Sequence, residues 1–372
     1  MAMGIDASRA FLSRRTGIEE YSYQVIRHLR TSLPQNERVI LYVRKKFDLR
    51  TRKFLLPTID FDLPEHWEVR GLFAPRFWTQ IRLSLEMLFN PVETLFVPAH
   101  TVPCIHPKKT IVTVHGLEYE FSPESYSWYE RSYMRFSIRN SVRWASQVIA
   151  VSENTKKDLI QLYQVPEEKI TVVYEGFQIN QDNTSSGVQN NQTPYFLFVG
   201  RVEERKNVAR IIEAFEIFKE KTGLPHALVL AGKPGFGYKK IENKIEKSKY
   251  KDQVQMLGYV SEAEKWGLLQ KAEALLFPSL YEGFGLPILE AQAVGAPVIA
   301  STTSSLPEIA GDGAILINPL RVQALAESME KLVTDPEFRA GIIDKATQNV
   351  DRFSWGACAR GVAQLLKSSS LL

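Results

Sequence analysis

Glu282 and Glu290 stand eight residues apart around Gly283-Phe284-Gly285-Leu286, just downstream of the apolar run ALLFP that ends at Pro278. A strand end, two glycines and then Pro287, a residue tolerated at a helix's first position, predict a turn that opens directly into a helix. The backbone N–H groups around Phe284 to Leu286 then lie at a helix N-terminus, where unpaired donors and the helix dipole stabilise an anion. On this reading Glu290 falls in the first turn, and the two carboxylates border one anion pocket. The plainer alternative is a Glu290 that only offsets the dipole and a Glu282 that is solvated.

A second group follows the run YFLFV in VGRVEERKNV. Gly200 turns the chain, Arg201 and Lys206 flank Glu203-Glu204, and Asn207 is placed to cap a helix whose apolar face is Val208, Ile211, Ile212, Phe215 and Phe218. Two cations at a strand end suit a leaving group that gathers negative charge; the bland alternative is surface charge, with Arg205 and Lys206 paired to the glutamates. His115 closes the run TIVTVH, a place where a structural hydrogen-bonder is the commoner role. Thr16-Gly17-Ile18-Glu19 carries a capping box with Thr16 as N-cap, and Gly17 leaves room at that helix start. Arg131, Arg135, Arg139 and Arg143 recur every fourth residue in a predicted helix at 127–145, and at about 100° per residue they form one slowly turning stripe. The stripe reads either as a solvated face paired to acids or as a contact for an anionic membrane or lipid diphosphate. Neighbouring Trp128, Tyr129, Tyr133 and Trp144 suit the second.

Positioning these groups falls to an alternation of short β-rich runs and helical periods. Strands are predicted at 2–6, 38–43, 67–70, 94–97, 110–115, 147–151 and 170–174, and again at 195–200, 226–232, 253–257, 274–278, 297–300 and 314–318. Strand and helix in series imply parallel sheets covered on both faces, an α/β protein with doubly wound domains. The polar stretch QINQDNTSSGVQNNQT has no apolar period, which divides the chain into a first domain at 1–177, a linker at 178–193, a second domain at 194–352 and a last helical segment at 353–372. At 372 residues, 44% hydrophobic and 24% charged, the chain is too long for one core and too apolar for disorder. It has no uncharged run of about 18 residues to span a membrane, and Asp6 precedes any apolar stretch that would make a signal peptide. Cys104 and Cys358 are far apart and in no metal-binding spacing, so neither a disulfide nor a metal site is expected. Residues 1–180 hold 24 Lys and Arg against 20 Asp and Glu, while the remainder holds 22 of each, so the first half is the one suited to an anionic partner. No nucleic-acid-binding motif accompanies that excess, and no nucleic-acid partner is expected.

The segment Glu282-GFGLPIL-Glu290, the GAPVIAS that follows it and LPEIAGDGA at 306–314 resemble the retaining, nucleotide-sugar-dependent glycosyltransferases of family 4. So do IDASRAFLSRRTGIEEY, VTVHGLEYEFSPESY, VIAVSENTKKDLI, EKITVVYEGF and VGRVEERKNV, in the family's order; the first two look most like bacterial polysaccharide mannosyltransferases. The resemblance implies the GT-B fold, two Rossmann-like domains whose parallel sheets face an interdomain cleft, with the last helix crossing back to the first domain. It also implies transfer of a hexose to a hydroxyl of a glycan or lipid-linked acceptor in cell-surface polysaccharide synthesis, with GDP-mannose the first-choice donor and a UDP-hexose the second. The donor is a substrate, and no cofactor or metal is implied. The protein is expected in the cytoplasm, peripheral at the inner face of the plasma membrane.

Carried over by position, the resemblance gives Arg201, Lys206 and the backbone of Gly283, Phe284, Gly285 and Leu286 to the donor diphosphate. Glu282 goes to the sugar hydroxyls, Glu290 to the ribose, Tyr259 and Val260 to the base, and His115 to the transferred sugar. Gly17 lies in the glycine loop facing the donor phosphates, with Arg14 and Arg15 beside it for an anionic acceptor. One departure is Gly116, where family members often carry Asp after the histidine, which leaves Glu118 and Glu120 as the alternatives for an acid from the first domain. The alternatives are a GT-B sugar-nucleotide epimerase and a catalytically silent nucleotide-sugar-binding subunit.

Overall fold

The computed structural model describes residues 2–12, 15–48, 51–74, 78–178 and 193–368. The chain forms two compact units, one of residues 1–117, 128–176 and 353–372, the other of residues 118–127 and 177–352. The predicted linker at 178–193 lies, apart from its two end residues, outside the described residues. Residues 118–127 cluster with the second unit, although the sequence division kept them in the first domain. A ring contact described below holds them there. Among the described residues no helix is long and apolar enough to cross a membrane.

The first unit is built on β1 (Met3–Asp6), β2 (Val39–Arg44), a small hairpin of β3 (Lys46–Asp48) and β4 (Lys53–Leu55), β5 (Trp67–Leu72), β6 (Thr94–Val97), β7 (Lys109–Val114), β8 (Gln147–Ala150) and β9 (Ile170–Val172). All but the hairpin join one parallel sheet in the order β5-β2-β1-β6-β7-β8-β9. Its helices are α1 (Gly17–Ser32), α2 (Ser84–Phe89, continuing a wider helical turn at Trp78–Leu83), α4 (Trp128–Trp144) and α5 (Glu153–Tyr163), with the four-residue α3 (Glu118–Phe121) falling in the second unit. At the start of α1 the Thr16 N–H donates to the Glu19 carboxylate at 3.0 Å, the reciprocal bond of a capping box.

The second unit carries β10 (Tyr195–Val199), β11 (Ala227–Ala231), β12 (Val254–Gly258), β13 (Ala274–Phe277), β14 (Val298–Ser301) and β15 (Ile315–Ile317), all parallel, in the order β12-β11-β10-β13-β14-β15. Alternation along the strands fills a core on each face. Phe196 and Phe198 of β10 point into one, while Tyr195, Leu197 and Val199 point into the other. Helices α6 (Val208–Thr222), α7 (Tyr238–Lys247) and α11 (Val322–Thr334) supply the first core, and α8 (Glu262–Lys271), α9 (Leu286–Ala293) and α10 (Leu306–Ala310) supply the second. The α6 face Val208, Ile211, Ile212, Phe215 and Phe218 is buried as its spacing predicts. Helix α12 (Pro336–Val350) completes this unit, and α13 (Trp355–Ser368) belongs to the first, where it packs on α1. The Lys109 ammonium donates to the Leu366 carbonyl at 2.6 Å, which fastens α13 beside β7.

At the C-terminal ends of β10 and β11 the backbones nearly touch. A Cβ on Gly232, whose φ is +152°, would lie 1.7 Å from the Gly200 carbonyl oxygen, so no other residue fits there.

Candidate active site

The loop from β13 to α9 turns its backbone acceptors inward. The Asn207 amide donates to the Pro278 carbonyl at 3.1 Å and to the Pro319 carbonyl at 2.7 Å. Ser301 donates to Ser279 O at 2.6 Å, and the Thr303 hydroxyl lies 3.1 Å from Leu280 O. Arg205 donates to Tyr281 O at 2.6 Å, and the Ser305 hydroxyl lies 3.0 and 2.5 Å from the Glu282 and Phe284 carbonyls. With its carbonyls occupied from inside, the loop has donors to offer: the Gly285 and Leu286 N–H groups have no protein partner among the described residues. Gly285 takes a φ of +124°, and a Cβ there would come within 2.9 Å of Leu306.

Two details differ from the sequence reading. Helix α9 starts at Leu286, so Pro287 is its second residue and Glu290 its fifth, placing Glu290 in the second turn rather than the first. Asn207 holds the N-cap position of α6 with φ +62°, but its side chain ties two loops together instead of capping. Its Oδ1, the atom a cap would use, accepts from the Arg210 guanidinium at 2.8 Å instead of from a helix N–H.

Behind the loop sits a buried cluster of charge. Glu282 pairs with Lys206 and with Arg205 at 3.4 Å, and Arg205 also grips Glu203 at 2.8 Å. Burial by itself would raise the Glu282 carboxyl, but the Lys206 and Arg205 charges hold it below the usual carboxylate range. Burial lowers the Lys206 ammonium, with Glu282 opposing. Lys206 is thus no surface charge, and Arg205, besides pairing with Glu203 as the plainer reading had it, pins the loop through the Tyr281 carbonyl. Arg201 is exposed and forms no ion pair among the described residues. Glu290 has a cation of its own, Lys265 at 2.8 Å, which also reaches Glu262 at 2.8 Å. Burial opposes the Lys265 charge, yet these carboxylates raise its pKa above the ordinary lysine value. The two glutamates of the E-x7-E segment are therefore held by different cations. Tyr259 is exposed with the Lys233 ammonium 4.7 Å from its ring centre, and Val260 packs against the core.

Residues 118–127 join this unit through Phe121, whose ring stacks on Tyr281 at 4.3 Å and 12°. Burial, with Glu118 next in weight, pushes the Tyr126 hydroxyl up to about 12.

In the first unit His115 follows β7 directly. Its ring is buried and both nitrogens are engaged, Nδ1 with Glu175 Oε1 at 2.9 Å and Nε2 with the Pro98 carbonyl at 2.8 Å. The His115 N–H donates to Nδ1 of His100 at 3.4 Å, and burial, aided by His115 and Arg9, holds His100 well below the usual histidine value. Glu175, the acid beside His115, lies 60 residues from it in sequence, in the YEGF block. Gly17 opens α1, with nothing within 4 Å of where its Cβ would be. Arg15 pairs with Glu20 at 2.7 Å, and Arg14 lies outside the described residues.

Glu175, Lys265, Arg205, Ser301, Thr303 and Ser305 went unassigned in the sequence reading. The block carrying Glu175 and the TTSS preceding LPEIAGDGA were the signals for some of them; nothing local marked Lys265. No three His, Cys, Asp or Glu side chains among the described residues come together as a metal site.

A chain of two doubly wound units, the second presenting a donor-rich loop over buried cations, defines a glycosyltransferase of the GT-B fold. The chain belongs to the glycosyltransferases described by two family models, Glycosyltransferase Family 4 over residues 15–181 and Glycosyl transferases group 1 over residues 180–349. It is similar to the O-antigen chain mannosyltransferase B of Escherichia coli, 27% identical over 68% of this chain and 68% of that one. To the O-antigen chain mannosyltransferase RfbU of Salmonella typhimurium it is 30% identical over 65% of each. Anabaena Alr3699/HepE, solved in complex with UDP and glucose, has the same fold, with a TM-score of 0.70 at 19% identity, covering 100% of this chain and 99% of that one.

Proposed function

We propose that the chain transfers a hexose from a nucleoside diphosphate, with retention at the anomeric carbon, to a hydroxyl of a glycan or lipid-linked acceptor in surface polysaccharide synthesis. Mannose from GDP-mannose is the first choice, supported by the two O-antigen mannosyltransferases it resembles. A UDP-hexose is the second, supported by the UDP and glucose in the Anabaena structure.

The observation that carries the reading is the loop whose carbonyls are bound from inside while Gly285 and Leu286 keep N–H groups for an anion. In this reading those donors, Arg201 and Lys206 meet the charge on the departing diphosphate, a task that grows as the bond to the sugar breaks. Glu282 holds sugar hydroxyls, its orientation fixed by Lys206 and Arg205. Glu290 holds the ribose hydroxyls, steadied by Lys265, and Tyr259 and Val260 border the base. His115 acts as a positioning residue in partnership with Glu175.

For the acceptor, the support is a cavity of about 530 Å³ in the first unit where β1, β2 and β5 end. Phe11, Phe47 and Phe73 line it together with Arg44, Lys45 and Lys46, a combination that suits a molecule with an apolar face and an anionic group. The test is nucleotide release from a panel of GDP- and UDP-sugars, first without and then with acceptor. Turnover of GDP-mannose that rises on adding a lipid-linked acceptor is expected. Epimerisation of the donor without acceptor, or no turnover of any donor, overturns the reading.

A further inference from the structure

Parallel crossovers are right-handed, so the direction of travel along a sheet decides which face a connecting helix covers. In the first unit β5 to β6 and β7 to β8 both advance toward the β9 edge, while β1 to β2 goes the other way. Helices α2 and α4 therefore share one face, and α1 takes the opposite one. The connection between β6 and β7 ties the first two together: the Val102 N–H donates to Ser141 of α4 at 2.9 Å and the Ile105 N–H donates to Ser84 of α2 at 3.3 Å.

Both helices present apolar side chains to solvent. Along α2 and its leading turn Ile81, Leu85, Leu88 and Phe89 are exposed at helical spacing, and Ile105 lies exposed on the connection that joins α2 to α4. On α4 the buried side is Ser137, Ile138, Ser141 and Val142. Its opposite side carries Trp128, Tyr129, Tyr133 and Phe136, with Trp128 82% and Phe136 67% exposed. Arg135, Arg139 and Arg143 are exposed on the same half of the helix; at about 100° per residue they form a sector beside the aromatic one. A water-facing surface has no reason to gather so much apolar area, whereas an aromatic sector flanked by arginines matches the border between headgroups and acyl chains.

We propose that the α2 and α4 face of the first unit docks on an anionic lipid surface, its aromatic rings at headgroup depth and its arginines on lipid phosphates. Charge complementarity selects this occupant over a second copy of the chain: the basic excess of the molecule lies entirely in residues 1–180, 24 Lys and Arg against 20 Asp and Glu. The inference does not depend on which sugar is transferred.

Flotation of the full chain with vesicles of phosphatidylcholine, with or without phosphatidylglycerol, tests it. The wild type should float only with the anionic vesicles. Arg135→Glu combined with Arg139→Glu should weaken this at low salt by on the order of tenfold or more, an effect that fades as salt screens the charges. Phe89→Ser combined with Phe136→Ser should abolish flotation at any salt while circular dichroism stays that of the wild type, since both side chains are exposed. Failure of the wild type to float, or equal flotation of all three proteins, overturns the proposal. So does sedimentation as a dimer that the Phe89→Ser and Phe136→Ser pair dissolves without any wild-type flotation, which would make this face an interface between copies.

Discussion

At Glu290 the carboxylate faces Lys265, and in the proposed reaction it holds a ribose that changes little between ground and transition state. Glu290→Gln should therefore raise the donor KM with kcat nearly unchanged, by about 10- to 150-fold for the roughly 1.5–3 kcal/mol of a charge-assisted hydrogen bond. Lys265→Met should move KM in the same direction, and calorimetry with GDP and UDP checks both. In the same proposed reaction Glu282 holds a sugar that gains positive charge, so Glu282→Gln should chiefly lower kcat. The buried pairing with Lys206 adds a second expected effect. Removing the carboxylate leaves the buried Lys206 ammonium uncompensated, at a cost of about 3–5 kcal/mol, which thermal unfolding will report as a lower Tm. The sign of the pH dependence follows from the lowered Glu282 pKa: its stabilisation is fully present above the unfolded carboxylate value of about 4.3 and is lost as pH falls through the folded value. Acid unfolding of Glu282→Gln should consequently lack part of the wild-type slope.

Among the elements, those with a clear period were legible and those without were not. The parallel strands of both units lie within a residue or two of the predicted runs, because β-rich apolar stretches bounded by turn residues leave few other folds open. The β3-β4 hairpin was missed, since strands of three residues show no alternation. Helix α6 was read with its buried face intact, and Phe215→Ala should cost about 3–5 kcal/mol in denaturant unfolding, as expected for a fully buried aromatic side chain. The turn ahead of α9 was legible, while the side chains that hold it were not. Ser305 serves two of its carbonyls, so Ser305→Ala should destabilise by about 1–3 kcal/mol and raise the donor KM, a pairing that a merely structural serine would not produce.

For the molecule as a whole, the proposed use of Arg201 and Lys206 in place of a metal makes transfer insensitive to EDTA. Loss of turnover on chelation, restored by Mn²⁺ or Mg²⁺, would contradict that assignment. The thiols offer a check on the packing of α13 against α1. Cys358 is buried and its thiol is pushed up by burial and by Glu175, while Cys104 is exposed. One thiol should react with Ellman's reagent in the native protein, and two in denaturant. The amino-acid order by itself determined the α/β class, the succession of strands and helices, and the glycine turn between Glu282 and Glu290, all consequences of local periodicity and backbone preference. Tertiary structure alone decided which charges meet. Glu282 finds Lys206 across 76 residues, Glu290 finds Lys265 across 25 and His115 finds Glu175 across 60, and no local pattern encodes partners brought together by a parallel sheet whose neighbours are not consecutive. The same folding leaves the aromatic side of α4 facing outward, because only the packed sheet determines which side of a helix is buried.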